Sequence, residues 1–301
     1  MVGAPKTVPI RQPQGRNAPM RIDGSNLPRN QLTVTNFTPL PRAPIAGMSR
    51  ITSDGPVPRP HTDGRTPLNA YAKPFKPKKD TKYVALVVGG LGINPRLTRR
   101  AIDTLPGEVT LSFAASAPGL QSWINKARAH GHEVMIELPM QGAPQSGAAA
   151  KYSLAASNGD DLNKRHLQHL LSRGQGYFAV TNYDGDVLVN DETTLLPIIK
   201  TLKDSGLGFV YDGAVDGARL APLAKREGLP LITAHTYLDD AQQDAISVHR
   251  KIQTLQRSSY ENVPIGMGFS YLGTIDGIAS WIAVKPKDVE IAPVSYALRT
   301  K

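Results

Sequence analysis

Cysteine is absent from this 301-residue chain, which excludes disulfide staples and thiolate metal ligands. Aromatic residues make up only 6% and histidines number seven, so any site built on imidazoles has few residues to draw on. No window reaches the roughly eighteen apolar residues of a membrane span, and Met1 to Arg29 contains no apolar h-region of an export signal. Two expectations remain open: a cytoplasmic protein, or numbering that begins downstream of a removed membrane anchor. No Gly-x-Ser-x-Gly elbow is present, so a serine nucleophile has no support.

What is present is unevenly distributed. Fourteen of the 25 prolines precede Lys82, and the first eighty residues hold thirteen Lys and Arg against four Asp and Glu. With no sustained helical or alternating apolar pattern there, residues 1–80 are expected to form a disordered, basic, Pro-rich tail, and residues 81–301 the folded domain. The remainder carries 22 basic and 21 acidic residues, so the net charge of +10 belongs almost wholly to the tail. A nucleic-acid binder needs a basic stripe on its folded surface with base-reading partners, and this chain lacks one. The tail reads instead as a solvated linker suited to an anionic membrane surface.

From Lys82 onward, short β-branched apolar runs alternate with segments of helical period, which predicts parallel strands joined by crossover helices. Strands are expected near 83–88, 109–114, 133–138, 177–181, 207–211, 230–233, 263–268 and 289–292. Asn94-Pro95, Asp191, Asp216 and Asp239-Asp240 are expected to start helices. Seven or eight such units predict an α/β fold, an irregular (β/α)7–8 barrel, with an open doubly wound sheet as the runner-up. In either, function belongs at the carboxyl ends of the strands.

Those ends are unusual. The first strand closes in Gly89-Gly90-Leu91-Gly92, but Pro95 stands where the third glycine of a dinucleotide fingerprint belongs, and the next strand ends in Ala114-Ala115-Ser116 without a carboxylate for a ribose. A tight strand-to-helix turn explains these glycines better. The other ends give Glu137, Asn182, Asp184, Asp212, His235, Asp239 and Asp240. One histidine is too few for a usual catalytic zinc site, although an oxygen-only set suits a hard cation. Such acids also cap helices and tie loops. His130 and His132 precede a strand, the end a barrel uses for stability, and His166 and His169 lie on a polar helical segment where they are expected to be solvated.

Several blocks together resemble the divergent polysaccharide deacetylase family over about residues 82–298. They are Val84 to Gly92, His130-Gly131-His132-Glu133-Val134 through Leu138-Pro139-Met140, the Asn182-x-x-Gly185 turn, Tyr211-Asp212, Leu238-Asp239 and Pro293-Val294-Ser295. The resemblance implies an irregular βα barrel, metal-dependent N-deacetylation of a sugar, a polysaccharide or peptidoglycan-like partner, and export to the bacterial envelope with the tail as a periplasmic spacer. The site departs from the family pattern. Asp-Asp-x-Gly appears as Gly89-Gly90-Leu91-Gly92, and His-Leu-Pro-Met begins here with Glu137. Asn-His-x-Gly-Ser reads Asn182-Tyr183-Asp184-Gly185-Asp186, and Gly-His-Pro reads Gly268-Phe269-Ser270. Only Asp212 and Asp239 persist.

Hydrolysing an acetamide by the family route needs a carboxylate to take a proton from metal-bound water and a positive centre for the oxyanion, and glycine supplies neither. The expectation is a catalytically impaired, glycan-binding or structural protein needing no cofactor. Asn182, Tyr183, Tyr211, His235, Phe269 and Tyr271 would then contact the glycan, because sugar rings pack on aromatic faces. The alternative is a working hydrolase with a rebuilt site. In it Asp212, Glu137 and Asp239 act in catalysis, and Asp184, Asp212 and Asp239 hold a divalent cation.

Overall fold

Strand β3 (Lys82–Leu91) is buried without a break from Val84 to Gly89, as a strand covered on both faces must be. Our computed structural model describes residues 37–142, 150–216, 218–239 and 243–300. After β3 come α2 (Pro95–Thr104), β4 (Thr110–Ala114), α3 (Leu120–Ala129), β5 (Val134–Met140), α4 (Gly159–Ser172), β6 (Ala179–Asp184) and α5 (Glu192–Asp204). The chain continues through β7 (Gly208–Tyr211), α6 (Leu220–Glu227), β8 (Leu231–Thr233), β9 (Thr236–Tyr237), α7 (Ala245–Arg257), β10 (Ile265–Phe269), α8 (Leu272–Val284), β11 (Val289–Ile291) and α9 (Val294–Arg299). The predicted strands are all present. No helix among the described residues is long and apolar enough to cross a membrane.

The parallel sheet runs β8-β7-β6-β5-β4-β3-β10-β9, with β11 against the start of β3. Its outermost strands, β8 and β9, are consecutive in the chain, so one bent segment serves both edges. Ala234 N donates to Tyr211 O on one side, and His235 N to Ile265 O on the other. The sheet therefore curls toward closure rather than lying open.

Alternation along the strands divides the core in two. Val84, Leu86, Val88, Val134, Ile136, Leu138, Phe209 and Tyr211 pack outward under the helices, while Ala85, Val87, Met135, Ala179, Val210, Ile265 and Met267 fill the interior. Helix starts follow local chemistry in part. Asn94 Oδ1 accepts from the amides of Arg96 and Leu97, and Asp191 Oδ1 from Thr194 N. Asp216 is not the cap of α6, which begins after Arg219, and α7 is capped by Asp244 rather than by Asp239; Asp240 lies outside the described residues.

The expected boundary at residue 80 is corrected. Residues 1–36 lie outside the described residues, but the segment from 37 to 80 is folded: β1 (Ser49–Thr52) and β2 (Gly55–Pro58) make a hairpin, followed by a one-turn α1 (Pro67–Ala70). Met48, Leu68 and Tyr71 pack with interior residues and with α9 at the amino ends of the strands, closing the floor of the barrel. Proline-rich backbone lacking periodicity is held there by a side chain from the barrel. Buried Arg128 donates to the carbonyls of Pro41, Tyr71 and Gly176. Burial lowers this guanidinium to about 10.

Glu133 completes the floor. Its carboxylate accepts from Thr110 Oγ1 at 2.8 Å, Ser295 N at 2.9 Å and Lys73 N at 3.0 Å, joining β4, α9 and the amino-terminal segment. His132 beside it is fully buried, its ring nitrogens against the carbonyls of Val109 and Ile102. His166 and His169 are not simply solvated, for both rings pack on Tyr152.

Candidate functional site at the barrel mouth

The mouth is built from the inward positions at the carboxyl ends of the strands. On β5, inward Met135 is followed by inward Glu137, which the sheet pairs with Ala114 of β4 and Thr181 of β6. Glu137 is 4% exposed, and its Oε1 accepts from Gly90 N at 2.6 Å. Gly90 takes φ +66°, a left-handed conformation that glycine adopts without strain. A Cβ on Gly89 would come within 2.8 Å of Glu137 Oε1, so glycine there makes the space the glutamate fills. A carboxylate reaching across from β5 thus lies on the turn where the family pattern has its own aspartates. Burial raises Glu137 from 4.5 to about 7, against the pull of the Gly90 amide.

Asp212 follows β7. Its Oδ2 accepts from the Tyr237 hydroxyl at 2.6 Å and its Oδ1 from Ala214 N at 2.9 Å. Asp239 follows β9, and its Oδ2 accepts from Phe269 N and Thr274 Oγ1, both at 2.6 Å. Burial raises both carboxyls. Tyr237 stands among all three acids. Burial first, then the charges of Asp212, Asp239 and Glu137, hold its hydroxyl far above the ordinary tyrosine range and keep it a neutral donor.

Aromatic side chains fill the opening above. Phe269 is central: its ring lies 6.0 Å from that of Tyr237 at 13°, 6.5 Å from that of Tyr183 at 90°, and 6.4 Å from that of Tyr271. All four are half-buried. Tyr183 and Tyr271 therefore both lie against Phe269.

Three other residues expected at the mouth are placed elsewhere. Tyr211 alternates outward from Val210 and is buried beneath the helices, where its hydroxyl ties the Val215 backbone. Asn182 also faces away. Its Oδ1 accepts from Asp212 N and its Nδ2 donates to Asp184 O, so it braces the β6–β7 junction. His235 lies beside Ile265 at the start of β10, the opposite end of that strand from Phe269, with its Nδ1 accepting from Ile265 N and its ring against Tyr260.

The rebuilt cation site is not assembled either. Among the described residues, no three His, Asp or Glu side chains gather into a set able to hold a metal ion. Asp212 and Asp239 spend oxygens on internal donors. Asp184, at φ +62°, has its carboxylate against Gly142, where an added Cβ would come within 2.9 Å of Oδ1. These residues do not fit the divalent cation that the hydrolytic route requires.

Several determinants escaped sequence reasoning. Tyr237 as partner of Asp212, Thr274 as partner of Asp239, and the glycine space beneath Glu137 depend on register between distant strands. Ser112 and Thr181 are also inward and buried, at 0% and 1% exposure; the Thr181 hydroxyl makes no hydrogen bond, and that of Ser112 lies against the Glu137 carboxylate. Period-two alternation from Met135 and Ala179 was the signal that could have placed Glu137 and Thr181 on one face.

A curled parallel sheet with a polar and aromatic mouth at its carboxyl end defines a carbohydrate-deacetylase-type barrel. Residues 86–298 match the divergent polysaccharide deacetylase family, and the chain belongs to that family. The crystal structure of the uncharacterized protein ATU2773 from Agrobacterium tumefaciens is similar at 30% identity and a TM-score of 0.75, over 80% of this chain and 98% of that one. The uncharacterized protein YibQ of Escherichia coli is 21% identical over 71% of this chain and 67% of its own length. An uncharacterized Haemophilus influenzae protein is 20% identical over 72% of this chain and 77% of its own length.

Proposed function

We propose that this protein binds a polysaccharide or peptidoglycan-like glycan at the barrel mouth without deacetylating it. The observation that carries this reading is the fit of Glu137 onto Gly89 and Gly90. It fills the place of the family's first-strand acids with a buried side chain, and among the described residues no cation site is assembled. Half-buried Tyr183, Phe269 and Tyr271 then offer ring faces for the apolar C–H surface of a sugar. Family membership suggests the glycan class, and it also suggests an envelope location with the basic amino-terminal residues near an anionic membrane surface.

Retention of the full chain on immobilised chitin and peptidoglycan tests the reading. Wild type is expected to be held and Tyr183→Ala, Phe269→Ala to elute with the void; equal retention of the two would overturn the proposal. One observation favours a second reading, residual hydrolysis: Glu137 sits near 7, where a general acid or base works best. Acetate released from N-acetylated oligomers and lost in Asp212→Ala would establish that reading in place of the first.

A further inference from the structure

Three acids gather at the mouth. Glu137, Asp212 and Asp239 are buried, and Lys251 is the cation whose charge reaches Asp239. Its Nζ is engaged by Tyr237 O at 2.9 Å. Burial disfavours the charged form of all three carboxyls, and a cationic ligand would favour it. The hydrogen-bonding inventory points the same way. Glu137 accepts from one backbone amide, that of Gly90, and the inward hydroxyl of Thr181 is buried without a partner. Thr181 is the β6 residue in register with Glu137, and Ser112 lies beside the carboxylate. The mouth therefore offers acceptors and asks for donors. Above it stand the rings of Phe269, Tyr237 and Tyr183, whose faces attract positive charge.

We infer that the mouth selects a glycan carrying a free primary ammonium, a hexosamine whose nitrogen bears no acyl group, over its N-acylated counterpart. The inference rests on the mouth being a glycan site and adds the group it reads. An ammonium brings three donors, no acceptor and one positive charge, matching the Glu137 carboxylate and the unpartnered Thr181 hydroxyl. An acetamide brings one donor, no charge, and a carbonyl oxygen that would face carboxylates.

Calorimetric titration of the full chain at physiological salt, with β-1,4-linked glucosamine tetramer and its fully N-acetylated form, tests this. The chain's net charge of +10 works against nonspecific capture of a cationic oligomer. The free-amine tetramer is expected to bind at least about tenfold more tightly. Glu137→Gln should abolish that preference while the protein still melts cooperatively. As a second variant that keeps shape, Thr181→Val should weaken the free-amine tetramer about threefold without lowering Tm. Equal affinities, tighter binding of the acetylated form, or a preference that survives Glu137→Gln would each overturn the inference. The glycan reading itself would stand in those cases if Tyr183→Ala, Phe269→Ala still removed binding. Failure of both oligomers to bind would overturn the two together.

Discussion

Glu133 just before β5 and Glu137 at its middle lie four residues apart, both buried, and they are treated very differently. The floor glutamate accepts from three donors brought by three segments, while the mouth glutamate accepts from one amide. A buried carboxylate with its acceptor capacity used is a joint that specifies the fold. One left short of donors is held at a cost that the fold alone does not explain, and such sites are where ligands act. At the floor Arg128 donates to three backbone carbonyls, and the neutral His132 ring, between two carbonyls, can donate to one of them. Each region also holds a buried hydroxyl without a partner, Ser295 at the floor and Thr181 at the mouth.

The contrast is most exposed to test at the floor. Glu133→Ala strands three donors and is expected to cost about 3–5 kcal/mol, read from denaturant unfolding; a cost near that of a surface substitution would erase the distinction. Next comes pH. The fold raises Glu137 from 4.5 to about 7, so its contribution is full below 4.5 and lost as pH rises through 7. Burial lowers His132 from 6.5 to about 4, so its contribution is full above 6.5 and lost as pH falls through 4. The two ends thus slope in opposite senses, each by roughly 3 kcal/mol. Glu137→Gln should remove the share of the decline between pH 4.5 and 7 that Glu137 contributes, leaving the acid-side loss unchanged, seen by comparing melting curves from pH 4 to 8.

Smaller effects sharpen the mouth. Gly89→Ala places a Cβ 2.8 Å from Glu137 Oε1 and should cost about 1–3 kcal/mol. That penalty should vanish in a Glu137→Ala background, and additivity in the double-mutant cycle would refute the interlock. Smallest is Thr181→Val, which removes a buried unpaired hydroxyl and should stabilise the apo protein by about 0.5–1.5 kcal/mol in thermal unfolding.

How much of this was legible in the sequence depends on whether the determinant is local. Continuous apolar runs such as Val84 to Val88 announce a two-face-buried strand, and Asn94-Pro95 announces a helix start, because the physics sits within a few residues. Asp239 misled for the opposite reason: a carboxylate before a helical run resembles a cap, yet its donors, Phe269 and Thr274, are some thirty residues away. Residues 37 to 80 misled because nothing periodic marks a segment whose order comes from Arg128 and Glu133 of the barrel. At the site, composition located the acids and the rings. Only register revealed that Tyr211, Asn182 and His235 face elsewhere and that Glu137 occupies the space left by Gly89.

Metal content of the purified full chain, measured by elemental analysis after equilibration with zinc, magnesium and calcium and then exhaustive dialysis, bears most directly on the central claim. The interlocked mouth predicts well under one equivalent of any divalent ion, unchanged in Asp212→Ala and Asp239→Ala. One equivalent retained by wild type and lost in both variants would contradict it.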